Sequence, residues 1–265
     1  MKRSLPNEFI YQLFALLISV IIVHTIYVTV IRPNAAEVLE EQNRLIQEDP
    51  DYVVERSFYV IVKDFEQEAC FVLMLWAFSI MGYKALTASR ERSLLQEDLV
   101  PIAEGMRILP EDTREYARQI QGMPADQRNM FLPKVLLTAL QRFGATGNVQ
   151  DVSATTHTMV TTEAERLDSE LSMVRYIAWA IPSIGFIGTV RGIGAALAQA
   201  HRAVEGDISG VTQSLGVAFN STFIALLISI VLMFLVHQLQ SLQERLVFET
   251  ENYADDKLIR HLKGD

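Results

Sequence analysis

The stretch IPSIGFIGTVRGIGAALA, residues 181–198, decides the fold. It is apolar enough to lie in a bilayer, yet it carries a proline, four glycines, a threonine and one arginine where a simple anchor needs none. Gly188 and Gly192 form a GxxxG pair. With Gly185 and Ala195 or Ala196 they leave one helix face almost without side chains, so another backbone can come close and the face suits helix-to-helix assembly. Thr189 lies within that face and brings a hydroxyl to membrane depth, where a polar group must find a partner or serve a function.

Half of the 265 residues are hydrophobic, a composition that points to a membrane protein. The apolar residues collect into four runs, 9–31, 69–86, 176–198 and 215–237. Each is long enough to cross a hydrocarbon core of roughly 30 Å as a helix. The first run follows Met-Lys-Arg, but no small-residue cleavage site comes after it and it exceeds a signal-peptide core, so it is expected to be a retained span. A net charge of -9 without a basic stripe argues against nucleic-acid binding. The single cysteine, Cys70, excludes an internal disulfide and a cysteine metal cluster, and its apolar neighbours make it a buried small hydrophobe.

These runs predict an all-α membrane protein with four transmembrane helices, a helical cytoplasmic domain and a long third helix reaching into the cytoplasm. The expected divisions are a first span in 1–31, an extracytoplasmic helical loop in 32–64, a second span in 65–86 and a cytoplasmic helical domain in 87–173. A third span in 174–199, an extracytoplasmic loop in 200–213, a fourth span in 214–237 and a cytoplasmic helical tail in 238–265 complete the chain. Arg32-Pro33 is expected to end the first helix. The second run spans if Glu66, Glu68 and Lys84 snorkel. The soluble part is expected as helices broken at Pro101, Pro110, Gly122-Met123-Pro124 and a turn over residues 144–147, with Asn148 capping a helix that continues into the third span. The tail, apolar at Leu239, Leu242, Leu246 and Tyr253, suits packing on the soluble helices or on copies of itself. Lys2, Arg3, Lys84, Arg90 and Arg92 favour a cytoplasmic side for their flanks, which Arg32, Lys63 and Arg202 blunt. Four spans put both termini on one side.

The short link after residue 200 makes the third and fourth runs an antiparallel hairpin. Thr189 and Thr222 each lie roughly 8 to 11 residues from that link, about 12 to 17 Å of helix, so their hydroxyls are expected at one depth. Either threonine alone reads as ordinary packing, bonded to its own helix. As a pair, with Asn220 and Ser221 beside them, they equally suit a polar belt that orients water or meets an acid from another chain; beyond them the fourth run reads as apolar. His24 reads as a proton shuttle or, more simply, as a neutral imidazole bonded to a neighbour. The five histidines, His24, His157, His201, His237 and His261, have no ligand spacing and no nearby nucleophile, so neither an enzyme nor a metal or cofactor site is expected.

The segment AIPSIGFIGTVRGI resembles the AP-x-x-G-x-x-GTV-x-G signature of the MotA/TolQ/ExbB proton-channel family, and VAFNSTFIALLISIVLMFLVH resembles that family's last span. Pro182, Gly185, Gly188, Thr189, Val190 and Gly192 fall on the motif positions, and Thr222 on the last-span threonine. The resemblance covers the chain from Arg166 to the end of the fourth run. It implies a homopentameric ring around two single-span partners of the MotB/TolR/ExbD type, in a bacterial inner membrane, with both termini cytoplasmic. A transmembrane aspartate of the partner would accept the proton, Thr189, Thr222, Asn220 and Ser221 would line its path, and proton motive force would drive rotation or force. Pro182, Gly185, Gly188 and Gly192 would serve helix packing.

Two positions depart from the pattern. Val217 stands where TolQ and ExbB carry a glutamate, and Arg191 where relatives often have an apolar or aromatic residue. Arg191 suits snorkelling to an interface, or a place at the pore mouth or between subunits. Four spans are closer to MotA than to the three of TolQ and ExbB. The rival expectation is a non-conducting scaffold whose glycine face packs subunits and whose tail and soluble domain recruit partners.

Overall fold

In the computed structural model the described residues are 7–48, 52, 55–102 and 105–264. The basic flank at Lys2 and Arg3 lies outside them. Among the described residues the regular secondary structure is helical, apart from one isolated bridge between Ile108 and Leu262. Among the described residues four helices are long and apolar enough to cross a membrane, and the chain is a multi-pass, all-α membrane protein. It divides into two compact units, Met1–Met81 with Met173–Val236, and Gly82–Ser172 with His237–Asp265.

The first unit contains α1 (Asn7–Ile26), a π-helical turn (Tyr27–Ile31), α2 (Arg32–Glu48), α3 (Phe58–Val62) and the first part of α4 (Phe65–Leu94). To these it adds α9 (Ser172–Ala198), α10 (Ala200–Val204) and much of α11 (Ser209–Lys257). Arg32-Pro33 does not end the first helix, contrary to the sequence expectation. The wide π turn shifts the ladder by one residue, so that the Arg32 N–H bonds the Tyr27 carbonyl. The Asn34 amide then donates to the Val30 carbonyl at 2.6 Å, and a helix that proline would interrupt continues through Glu48.

Helices α1 and α4 run antiparallel. Tyr11 Oη donates to the Ser79 carbonyl at 3.1 Å, Trp76 Nε1 donates to the Gln12 carbonyl at 2.9 Å, and His24 Nδ1 lies 2.7 Å from Glu68 Oε1. The charges at the start of α4 are paired within the unit and do not snorkel. Glu68 also binds Arg32, whose guanidinium stacks 4.4 Å from the Phe65 ring centre, and Glu66 binds Arg191. Pairing wins because a buried carboxylate without a counter-ion is strongly penalised.

This unit buries small residues and exposes large ones. Ala77, Ala178, Ala218 and Ala225 are at most 2% exposed, whereas Trp179, Phe186, Phe219 and Ile230 are all more than 60% exposed. A water-soluble bundle buries its large apolar side chains; the inverse distribution fits lipid, where close backbone packing holds helices together.

The second unit is helical and packs around its own hydrophobic core. It includes α5 (Thr113–Gln121), α6 (Ala125–Arg128), α7 (Phe131–Thr146) and α8 (Val149–Glu170). Helix α7 supplies much of the core, with Val135, Leu136, Leu140 and Phe143 fully buried against Ile108, Ile120, Val152 and Leu258. The expected turn at 144–147 contracts to its last residue: Gly144 stays helical, and the chain turns at Gly147, whose φ of 62° requires the conformation glycine adopts freely. Asn148 Oδ1 then accepts the Gln150 and Asp151 N–H groups and caps α8.

The stretch Val149–Ala198 is the long third helix expected from the sequence, with α8 passing into α9 through Leu171 as a single turn residue. At Leu171 the N–H bonds the Asp168 carbonyl in a tight turn, and the leucine side chain is fully buried there. Lys84 is 4% exposed and paired with Glu170 at 2.8 Å, so the charge at this end of the second run is also compensated rather than snorkelled. The tail packs on α7 and α8 within the second unit's core. Leu246, Val247, Ala254 and Leu258 are buried, and Tyr253 Oη donates to the Glu97 carbonyl while accepting the Leu99 N–H.

Candidate functional site

The candidate site lies where α9 and α11 cross in the first unit. Glycine permits the approach: a Cβ placed on Gly185 would lie 3.1 Å from the Ser221 carbonyl, one on Gly188 2.5 Å from Ser221 Cβ, and one on Gly192 2.8 Å from the Ala218 nitrogen. Substituents at these positions would enter α11, so the glycine face is filled by this chain's own helix. The contacts follow an antiparallel register from Gln199 beside Ser214 to Ala178 beside Ser229.

At the centre of the crossing the hydroxyls of Thr189 and Thr222 are hydrogen-bonded to each other. Each also reaches the opposite helix: Thr189 Oγ1 lies 3.1 Å from the Ala218 carbonyl, and Thr222 Oγ1 lies 3.1 Å from the Gly185 carbonyl. Two hydroxyl protons thus face three acceptors, and the donor direction between the threonines can reverse without moving a heavy atom. Both residues are half-buried, so the pair has one side toward the outside of this chain.

Ser221 is buried, donates to the Val217 carbonyl at 2.9 Å and accepts from Gln67 Nε2 at 3.4 Å. Asn220 is half-buried, and its amide makes no hydrogen bond to the described residues. Pro182 removes the N–H that would bond the Ala178 carbonyl, and Ser229 Oγ on α11 donates to that carbonyl at 3.0 Å. The expectation of an apolar fourth run beyond Thr222 overlooked this serine, whose isolation in an aliphatic stretch was the available signal.

Arg191 forms a two-pronged ion pair with Glu66, Nε to Oε1 and Nη2 to Oε2, each at 2.8 Å. Asp64 lies 3.9 Å from the same guanidinium. The partner that residue 191 lacked in sequence therefore comes from the first turn of α4. Among the described residues no carboxylate hydrogen-bonds either threonine, and the nearby Glu66 is committed to Arg191. In the connection between the helices, Asp207 accepts from Ser209 and Arg202, which hold its carboxyl below the usual range.

Residues 127–252 match the family model of the MotA/TolQ/ExbB proton channel family. The match spans α7 through most of α11 and so includes both helices of the threonine crossing. Neither curated proteins nor solved structures gave a match. This segment, which carries the glycine face, the threonine pair and the helices that hold them, is the part of the chain that matches the MotA/TolQ/ExbB proton channel family.

Proposed function

We propose that this chain is the ring-forming subunit of a channel and motor driven by proton motive force in a bacterial inner membrane. Five copies surround two single-span partner chains of the MotB/TolR/ExbD kind, each bearing a transmembrane aspartate, and both termini of this subunit lie in the cytoplasm. Ion flow past the ring turns or strains it relative to the central pair. The subunit acts in transport and has no catalytic role.

The observation that carries this reading is the half-buried Thr189–Thr222 hydroxyl pair, held in register by α9 and α11. Hydroxyls relay and orient protons but do not store charge at neutral pH, so the titrating acid comes from another chain. Asn220, which bonds no other described residue and has Ser221 beside it, extends the polar surface. The glycine face is occupied within the subunit, which weighs against the scaffold reading in which that face joins subunits.

The test is proton flux through the complex of this chain with its partner in inverted vesicles. Thr189→Val and Thr222→Val, alone and together, are expected to abolish flux, with Thr→Ser retaining most of it. Wild-type flux in both valine variants, with the complex still assembled, would leave the scaffold reading.

A further inference from the structure

In the second unit, the last turns of α8 and the tail of α11 enclose a groove of about 460 Å³. Glu165, Asp168 and Glu244 bring carboxylates to it, and Leu167 and Val247 add an apolar strip. Glu165 and Glu244 form no ion pair with a described residue; Glu244 accepts the Gln240 amide at 3.0 Å. Gln243 belongs to the same wall and is only 4% exposed. Its amide bonds no described residue, and its Oε1 is buried without a hydrogen-bond partner. The amide nitrogen is not among the enclosed atoms, so turning the group over exchanges its two ends and gives the oxygen the open side.

Carboxylates without a counter-ion, beside an unmet amide acceptor, call for an occupant that presents only donors. The apolar strip calls for one that also carries a hydrophobic group. A guanidinium with an aromatic ring one helical turn away meets both demands, and this chain has such a pair. Arg245 is exposed and forms no ion pair with a described residue, and Phe248 is 63% exposed.

At about 100° per residue, Arg245 and Phe248 share one face of α11, roughly a third of a turn from the face that Gln240, Gln243 and Val247 give to the groove. The arginine is therefore turned away from the groove of its own chain, and a second copy has to supply one. Height along the helix agrees, because Arg245 directly follows Glu244 and Phe248 directly follows Val247. Rotation about an axis along the membrane normal keeps that height, and contact between two different faces gives a head-to-tail interface that closes into a ring.

We infer that the groove at Glu165, Gln243 and Glu244 of one copy receives Arg245 and Phe248 of the next. The guanidinium lies between the two carboxylates with an N–H on the Gln243 amide oxygen, and the phenyl ring covers Leu167 and Val247. The inference rests on the ring reading given above and adds the contact that joins neighbouring copies through the second unit.

Cross-linking between two differently tagged copies tests the contact. In a Cys70→Ala background one copy carries Glu165→Cys and the other Arg245→Cys. Both full chains are expressed with the partner chain, and membranes are treated with a short bismaleimide. Mixed dimers are expected at least about tenfold above those formed when Glu115→Cys, exposed on α5, takes the place of Glu165→Cys. Either cysteine alone should give almost no like-with-like dimer, because a head-to-tail contact does not set a residue against its own copy. A second pair, Leu167→Cys with Phe248→Cys, leaves the charges in place. There Arg245→Glu in the Phe248→Cys copy should lower the yield at least about threefold, and Glu165→Arg in the other copy should restore it.

Mixed dimers no more abundant than with Glu115→Cys in both pairs, in complexes whose native mass is that of a ring, overturn the contact and leave the ring reading standing. Like-with-like dimers at the level of mixed ones overturn it too, as does a cross-link from position 165 to the partner chain in place of a second copy. A native mass with a single copy of this chain removes the ring itself and the inference with it.

Discussion

The Ser229 hydroxyl on α11 donates to the Ala178 carbonyl at 3.0 Å, the carbonyl whose helical donor is missing because residue 182 is proline. A helix defect on α9 is thus repaired from α11. Ser229→Ala is expected to destabilise the first unit by about 1 kcal/mol, the scale of hydrogen bonds between helices in membranes. Pro182→Ala restores the backbone donor, so the same serine change should cost measurably less in that background. A double-mutant cycle on unfolding in detergent checks this, and purely additive effects would refute the repair.

Two glycines of α9 predict opposite outcomes. A Cβ at Gly188 lies 2.5 Å from Ser221 Cβ, whereas one at Gly194 meets nothing within 4 Å. Gly188→Ala forces the helices apart and should cost about 1–3 kcal/mol. Gly194→Ala should be neutral or stabilising by up to about 1 kcal/mol, since alanine loses less backbone entropy in a helix. Denaturant midpoints for the two variants give the comparison.

The Arg191–Glu66 pair joins a half-exposed guanidinium to a carboxylate that is 11% exposed. Arg191→Gln leaves Glu66 without its fork, and the expected loss is about 1 kcal/mol, held down by solvent around the arginine. Glu66→Gln made together with Arg191→Gln should restore part of that stability, because no unpaired charge then remains. Equal stability of the single and double variants would count against the pair.

Glu91 in the second unit has its carboxyl pushed above the usual range, chiefly by burial, while accepting the Phe131 N–H at 3.4 Å. A carboxyl whose folded pKa is raised favours the native state fully below the unfolded value, and this contribution is lost as pH rises through the folded value. Glu91→Gln keeps an acceptor for Phe131 without the charge. It should therefore raise stability near neutral pH and have little effect in mildly acidic buffer. Hydrogen-exchange protection of α7 across that pH range measures the difference.

The candidate site is local in part and long-range in part. Positions 189 and 222 lie at similar distances from a short link, so helical rise alone predicts that they share a depth; their contact follows from the small residues around them. The origin of Arg191's partner was hidden because Glu66 is far away in sequence and belongs to a span read as merely bounded by charges. Gln67 was hidden for the same reason: a glutamine at a helix start normally faces solvent, and only the packing of α4 on α11 buries it. At Arg32-Pro33 the sequence rule for proline was sound, but a π turn and the Asn34 side chain relieve the lost bond.

Periodicity and composition were enough for four apolar helices, an antiparallel pair near the glycine-rich stretch and a cap at Asn148, because these depend on spacing along the chain. Tertiary structure alone decided which charges pair, which helix fills the glycine face, which serine repairs Pro182 and where the buried acceptors of Gln67 and Asp64 lie. Those outcomes depend on distances of a few ångströms between helices remote in sequence, where desolvation makes every unpaired polar atom costly and a single methyl group can block the approach.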